Sequence, residues 1–177
     1  MQKMSVVQVP PLKIIGQVAL ATNIDVNGSF YTAWQDFQAD QTTAKVDDQL
    51  LKTFGETNRV GLVVYAPESY QYWTGISVPQ DFEVPASWHA FDLPAGSAFK
   101  MSSSTPEFLP QIPVNFTLEK VFDQAKKEAV VLPESLGHAQ QPYFLEKVTF
   151  KSIDDADKQV YFVYISPEIE ALEDDLG

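Results

Sequence analysis

The chain has 177 residues with 24 acidic and 12 basic side chains, a net charge of -12, and no cysteine. That charge repels phosphate backbones and argues against direct binding of nucleic acid, and the lack of thiols excludes disulfides, thiolate metal sites and cysteine nucleophiles. With 45% hydrophobic and 20% charged residues the balance is that of one well-buried globular domain spanning 1–177, with no apolar run near the roughly 20 residues that a bilayer span requires. The first residues carry no signal-peptide pattern, so the expected setting is the cytoplasm and no membrane.

In chain order, residues 13–24 read as a strand, followed by a turn cluster over 25–29. Phe30, Ala33, Trp34 and Phe37 fall at i, i+3, i+4 and i+7, one face of a helix. Val46, Leu50, Leu51 and Phe54 continue helically to Gly55, a plausible C-terminal stop. Two strands follow at 59–65 and 70–78, separated by a turn containing Pro67. Residues 88–101 read as one strand bent near Pro94-Ala95-Gly96. Val114, Leu118, Val121, Phe122, Ala125 and Ala129 mark a second helical stripe, and strands at 144–151 and 159–165 close the pattern across the polar turn 152–158.

The order strand–helix–strand–strand therefore occurs twice. A period near 75 residues is too long for a solenoid, so the expected architecture is α+β. Two such units, related by a pseudo-twofold axis, form one antiparallel sheet with the helices on one face. The core is expected over 12–166, with an acidic tail at 168–177 that frays.

Strand 144–151 holds the residue that invites a functional reading. Strict alternation puts Glu146 on one face with Phe144, Val148 and Phe150. A carboxylate among apolar neighbours is costly to bury without a partner. Either it sits at an edge and reaches water or a lysine, or it lies at the floor of a pocket and meets a cation or donor. Aromatic walls are abundant: 12 Phe, 7 Tyr and 3 Trp. The candidates are Trp34, Phe37, Tyr65, Trp73, Phe99, Tyr143, Tyr161 and Tyr164, most of which core packing would explain. Trp34 and Trp73 stand out because an indole N–H needs an acceptor.

Known reaction motifs are missing. His89 and His138 are the only histidines and have no metal-ligand spacing; Asp154, Asp155 and Asp157 lack the rest of a calcium loop. No nucleophile elbow, phosphate loop or dinucleotide fingerprint occurs. No catalytic residue, metal or cofactor is expected.

The run from Ser69 to Phe99 resembles the GyrI-like, or AraC-type effector-binding, family. The matching positions are Tyr72, Trp73, Gly75, Phe82, Val84, Pro85, Trp88, Leu93, Pro94, Ala95, Gly96 and Phe99. Pro142-Tyr143-Phe144-Leu145-Glu146 resembles the family's glutamate strand, with Val148 replacing its usual second aromatic residue. Pro133-Glu134-Ser135-Leu136-Gly137 resembles its turn after the second helix. The resemblance spans about residues 12–166 and implies a stand-alone effector domain without a DNA-binding segment. Such a domain senses or sequesters a small hydrophobic, neutral or cationic molecule. The implied ligand-binding residues are Glu146, Trp34, Phe37, Trp73, Phe99, Tyr143 and Tyr161. Two other activities fit the same resemblance: hydrolysis of cyclopropane-bearing electrophiles by the pocket glutamate, and acidic protein interaction of the gyrase-inhibitor kind.

Overall fold

The computed structural model describes residues 5–24, 28–103, 114–152 and 155–165. Its strands are β1 (Val6–Val9), β2 (Leu12–Leu20), β3 (Thr57–Ala66), β4 (Ser69–Val78), β5 (His89–Leu93), β6 (Gly96–Ser103), β7 (Tyr143–Ser152) and β8 (Asp155–Tyr164). Its helices are α1 (Tyr31–Ala39), α2 (Gln41–Phe54) and α3 (Val114–Lys127). All eight strands form one antiparallel sheet in the order β1-β6-β8-β7-β3-β4-β2-β5. Read outward from the central β3–β7 pair, both halves have the same order: the third and fourth strands of a unit, then its second, then an edge strand from the other unit. This is the pseudo-twofold arrangement of an α+β fold. The C-terminal tail lies outside the described residues, and among those described no helix is long and apolar enough to cross a membrane.

Residues 88–101 differ from the single bent strand expected of them. Pro94 and Ala95 separate β5 from β6, and these strands pair at opposite ends of the sheet, β5 on β2 and β6 on β1. Pro10 and Pro11 separate β1 from β2 in the same way. In the pairing order β5 and β6 stand six spacings apart, about 29 Å in a flat sheet at roughly 4.8 Å per strand. The two-residue link from Leu93 to Gly96 reaches at most about 11 Å, three Cα steps of roughly 3.8 Å. The sheet therefore curls until its ends meet. Proline suits these crossings because each link leaves one ladder and must not continue it.

Curling creates two cores. On the helix face Ile15, Phe30, Trp34, Phe37, Val46, Leu50, Phe144 and Val163 pack together. On the other face Val9, Ile14, Leu62, Trp73, Leu93, Leu145 and Tyr164 pack across the curl. Both faces are buried, so the central strands carry apolar residues at consecutive positions rather than in strict alternation.

The helical stretch before β3 is two helices. Asp40 is extended (φ -70°, ψ 129°) and caps α2, its carboxylate accepting from the Thr42 amide at 2.8 Å. Gly55 ends α2 in the left-handed conformation (φ 75°), which glycine adopts without a Cβ penalty.

Candidate ligand-binding groove

Glu146 is half-buried on the helix face, paired across the sheet with Gly61 of β3 and Tyr161 of β8. Gln159 donates to its Oε1 at 2.9 Å. With Tyr72 and Phe144 on the sheet side, Phe30 at the start of α1, and Val114 and Thr117 of α3, it borders a cavity of about 10 Å³, room for one water at most. Tyr72 is buried here and stacks on Phe30, with ring centroids 4.2 Å apart. Its hydroxyl accepts from Trp34 Nε1 at 2.9 Å. Burial first, and then the negative charge of Glu146, push the Tyr72 phenol far above its ordinary range, so it stays protonated. Gly61 makes this packing feasible: a Cβ there would lie 2.7 Å from the Tyr72 hydroxyl and 3.5 Å from the Trp34 ring.

The open volume lies next to this floor. A groove of about 580 Å³ runs between α3 on one side and the end of β3, the turn and the start of β4 on the other. Tyr65 and Tyr70 form its sheet wall, packed at 5.8 Å with planes tilted by 48°. Leu118 and Phe122, one helical turn apart, form its helix wall, with Glu119 and Asp123 at the same spacing beside them. Residues Glu134 to Gly137 close one end, where Gly137 packs so tightly that an added Cβ would lie 2.4 Å from the Ala66 carbonyl. Glu68, Glu119, Asp123 and Glu134 all line the groove, each exposed, and no lysine or arginine does. Phe30 stands edge-on to Tyr70 at 6.2 Å, so these two rings separate groove from glutamate floor.

The residues singled out from the sequence are distributed over both faces. Glu146, Trp34, Phe37, Phe99 and Tyr161 share the helix face. Trp34 is bonded to Tyr72, and Tyr161 stacks on Phe144 at 6.2 Å. Phe37 is buried against Trp88 and under the Arg59 guanidinium, and Phe99 is fully buried. Trp73 and Tyr143 are on the opposite face, within the curl, in a chain of rings through Phe91 to Tyr164. They do not meet Glu146, because Tyr72 and Phe144, not their neighbours in sequence, hold the helix-facing positions. Tyr70 and Phe122 were missed as walls. The signal for Phe122 was its i, i+4 relation to Leu118; for Tyr70 it was alternation with Tyr72.

No family model matches the chain, and no curated relative does. Solved structures do. The structure of SAV2435 bound to tetraphenylphosphonium superposes with a TM-score of 0.59 at 12% identity, covering 93% of this chain and 94% of that one. A protein of Staphylococcus aureus MU50, described as a bacterial transcription regulation protein, superposes with a TM-score of 0.55 at 11% identity, covering 91% and 96%. At such identities the likeness is one of fold, in agreement with the fold that the motif resemblance implies.

Proposed function

We propose that the chain binds lipophilic cations in the groove between α3 and the β3–β4 turn, as a sensor or sequestering module. The observation that carries this reading is the groove itself: about 580 Å³ of open space with aromatic walls, four carboxylates and no cationic side chain in its lining. Rings attract a cation by dispersion and by their quadrupoles, worth roughly 0.5–2 kcal/mol per contact. The carboxylates raise its local concentration and favour it over a neutral molecule of the same shape. Glu146, behind Phe30 and Tyr70, adds a negative charge in a less solvated place, where a charge acts more strongly. A structural neighbour in complex with tetraphenylphosphonium supports the ligand class.

Titration with tetraphenylphosphonium chloride in a calorimeter tests the proposal. One saturable site is expected, weakened by salt because the rim charges are screened. The double substitution Glu119→Lys with Asp123→Lys should weaken it about tenfold or more, a change of about 1.4 kcal/mol. Triphenylphosphine oxide, a neutral ligand, should respond little to the same substitutions. Absence of saturable binding to the unaltered protein would overturn the reading.

A further inference from the structure

We propose that Tyr65 is the specificity-determining residue of the groove, its hydroxyl donating a hydrogen bond to a carbonyl or ether oxygen of the bound cation. The inference rests on the groove being the binding site. It concerns which lipophilic cations the site prefers: those that also carry a hydrogen-bond acceptor.

The Tyr65 hydroxyl exposes less than 1 Å² and has no hydrogen-bond partner among the described residues. Leaving a buried hydroxyl unpaired is costly, which is why such groups are rare in folded proteins. Two other buried donors share this condition, the Trp73 indole and the Tyr164 hydroxyl, but both lie in the core of the opposite face and neither lines the groove. Tyr65 does line it. Its ring packs against that of Tyr70, itself part of the groove wall at the start of β4. A ligand that displaces the edge of Tyr70 takes its place over Tyr65.

The chemistry of the phenol fixes what it recognises. Burial, and next the neighbouring Tyr70, hold its proton far more firmly than in an ordinary tyrosine. The group is thus an O–H donor at every working pH and offers no anion. The groove's other hydroxyl and amide groups are those of Ser69, Ser135 and Asn115, which are exposed, and of Tyr70, which is half-buried; none is a buried donor left unpaired, so they exchange partners with water and discriminate weakly. A buried donor does so strongly, because a ligand without an acceptor leaves it unpaired.

The test uses three permanent cations: tetraphenylphosphonium, (4-acetylphenyl)triphenylphosphonium and its near-isostere (4-isopropylphenyl)triphenylphosphonium. The unaltered protein should prefer the acetyl over the isopropyl compound by about three- to tenfold, the range of one net hydrogen bond. In Tyr65→Phe that ratio should fall to about one, whatever happens to the individual affinities, as expected when the one group that reads the acceptor is gone. Without ligand, Tyr65→Phe should melt no lower than the unaltered protein, since the hydroxyl it removes has no partner among the described residues. A marked loss of stability would reveal such a partner and overturn the inference. So would a preference that persists in Tyr65→Phe, or an unaltered protein that binds tetraphenylphosphonium without preferring the acetyl compound; the groove reading would survive both. If none of the three cations binds the unaltered protein, the groove reading falls and the inference with it.

Discussion

Glu146 shows how much one side chain's role depends on its neighbours. It is neither stranded in the core nor free in water: Gln159 donates to it, and its charge bears on a buried phenol. Substitution by glutamine keeps the shape and an oxygen that Gln159 can still bond, while removing the charge. For a cation lodged in the groove, the loss is expected to be about 1–2 kcal/mol, the size of one charge–charge interaction over roughly 8–16 Å at an effective dielectric near 20. A neutral ligand of similar size should change little. Parallel titrations of Glu146→Gln with tetraphenylphosphonium and triphenylphosphine oxide measure the difference, and equal effects on both would make Glu146 a structural residue only.

Between elements, a buried ion pair joins α2 to β3. Arg59 and Asp47 form a buried two-pronged ion pair, with Nη1–Oδ1 at 2.8 Å and Nη2–Oδ2 at 2.7 Å. Thr57 donates to the same carboxylate at 2.7 Å, and Gln38 of α1 accepts from Arg59 at 2.9 Å. Phe37 and Phe150 each lie 5.8 Å from the guanidinium carbon. The network fastens α1 and α2 to the sheet beside Glu146's strand, and so fixes the wall that holds Trp34. Arg59→Met leaves Asp47 charged and buried, for which a loss of about 3–5 kcal/mol is expected in urea unfolding. Replacing both partners with apolar residues should cost much less than the sum of the single changes, because no lone buried charge remains.

At the scale of the molecule, burial on both sheet faces makes the fold sensitive to alkali. Tyr72, Tyr65 and Tyr164 all have phenol groups pushed well above their ordinary range of about 10, mainly by burial. Above pH 10 the unfolded chain loses these protons while the folded chain keeps them, so the stability they contribute, full below pH 10, falls as pH rises. For the fully buried Tyr72 the fall is about 1.4 kcal/mol per pH unit. Lys147 acts the other way, because burial holds its pKa below 10.5; stability rises as pH climbs from that lowered value toward 10.5. The expected profile rises toward pH 10 and drops steeply beyond it. Urea midpoints across pH 7–12 test the profile. Absorbance at 295 nm should show the buried tyrosines among the seven ionising only as the chain unfolds.

Short-range chemistry was legible in the sequence. Apolar periodicity located α3 and most of α1 and α2, runs rich in apolar and aromatic residues located the central strands, alternation set the face of Glu146, and Gly55 marked the end of α2, because each depends only on backbone geometry a few residues long. The family-like run from Tyr72 to Phe99 pointed to the fold, yet not to the crossing at Pro94-Ala95. A bend and an exit to the far end of a sheet look alike in sequence; only the pairing of Leu93 with Leu12 and of Gly96 with Val9 separates them. The two-sided burial hid which aromatic residues would meet. Trp73 and Tyr143 look as apt for a pocket as Tyr72 and Phe144, and the curl of the sheet alone put them on the other side. The ion pair of Asp47 with Arg59 had a local trace, an acidic residue at i+4 from Thr43 on the buried stripe of α2. Its partner lay across elements, and the groove likewise exists only where α3 stands off from the β3–β4 turn. Local sequence determined the elements and the polarity of each face. Tertiary packing decided which faces meet, because burial rewards any apolar neighbour and names none.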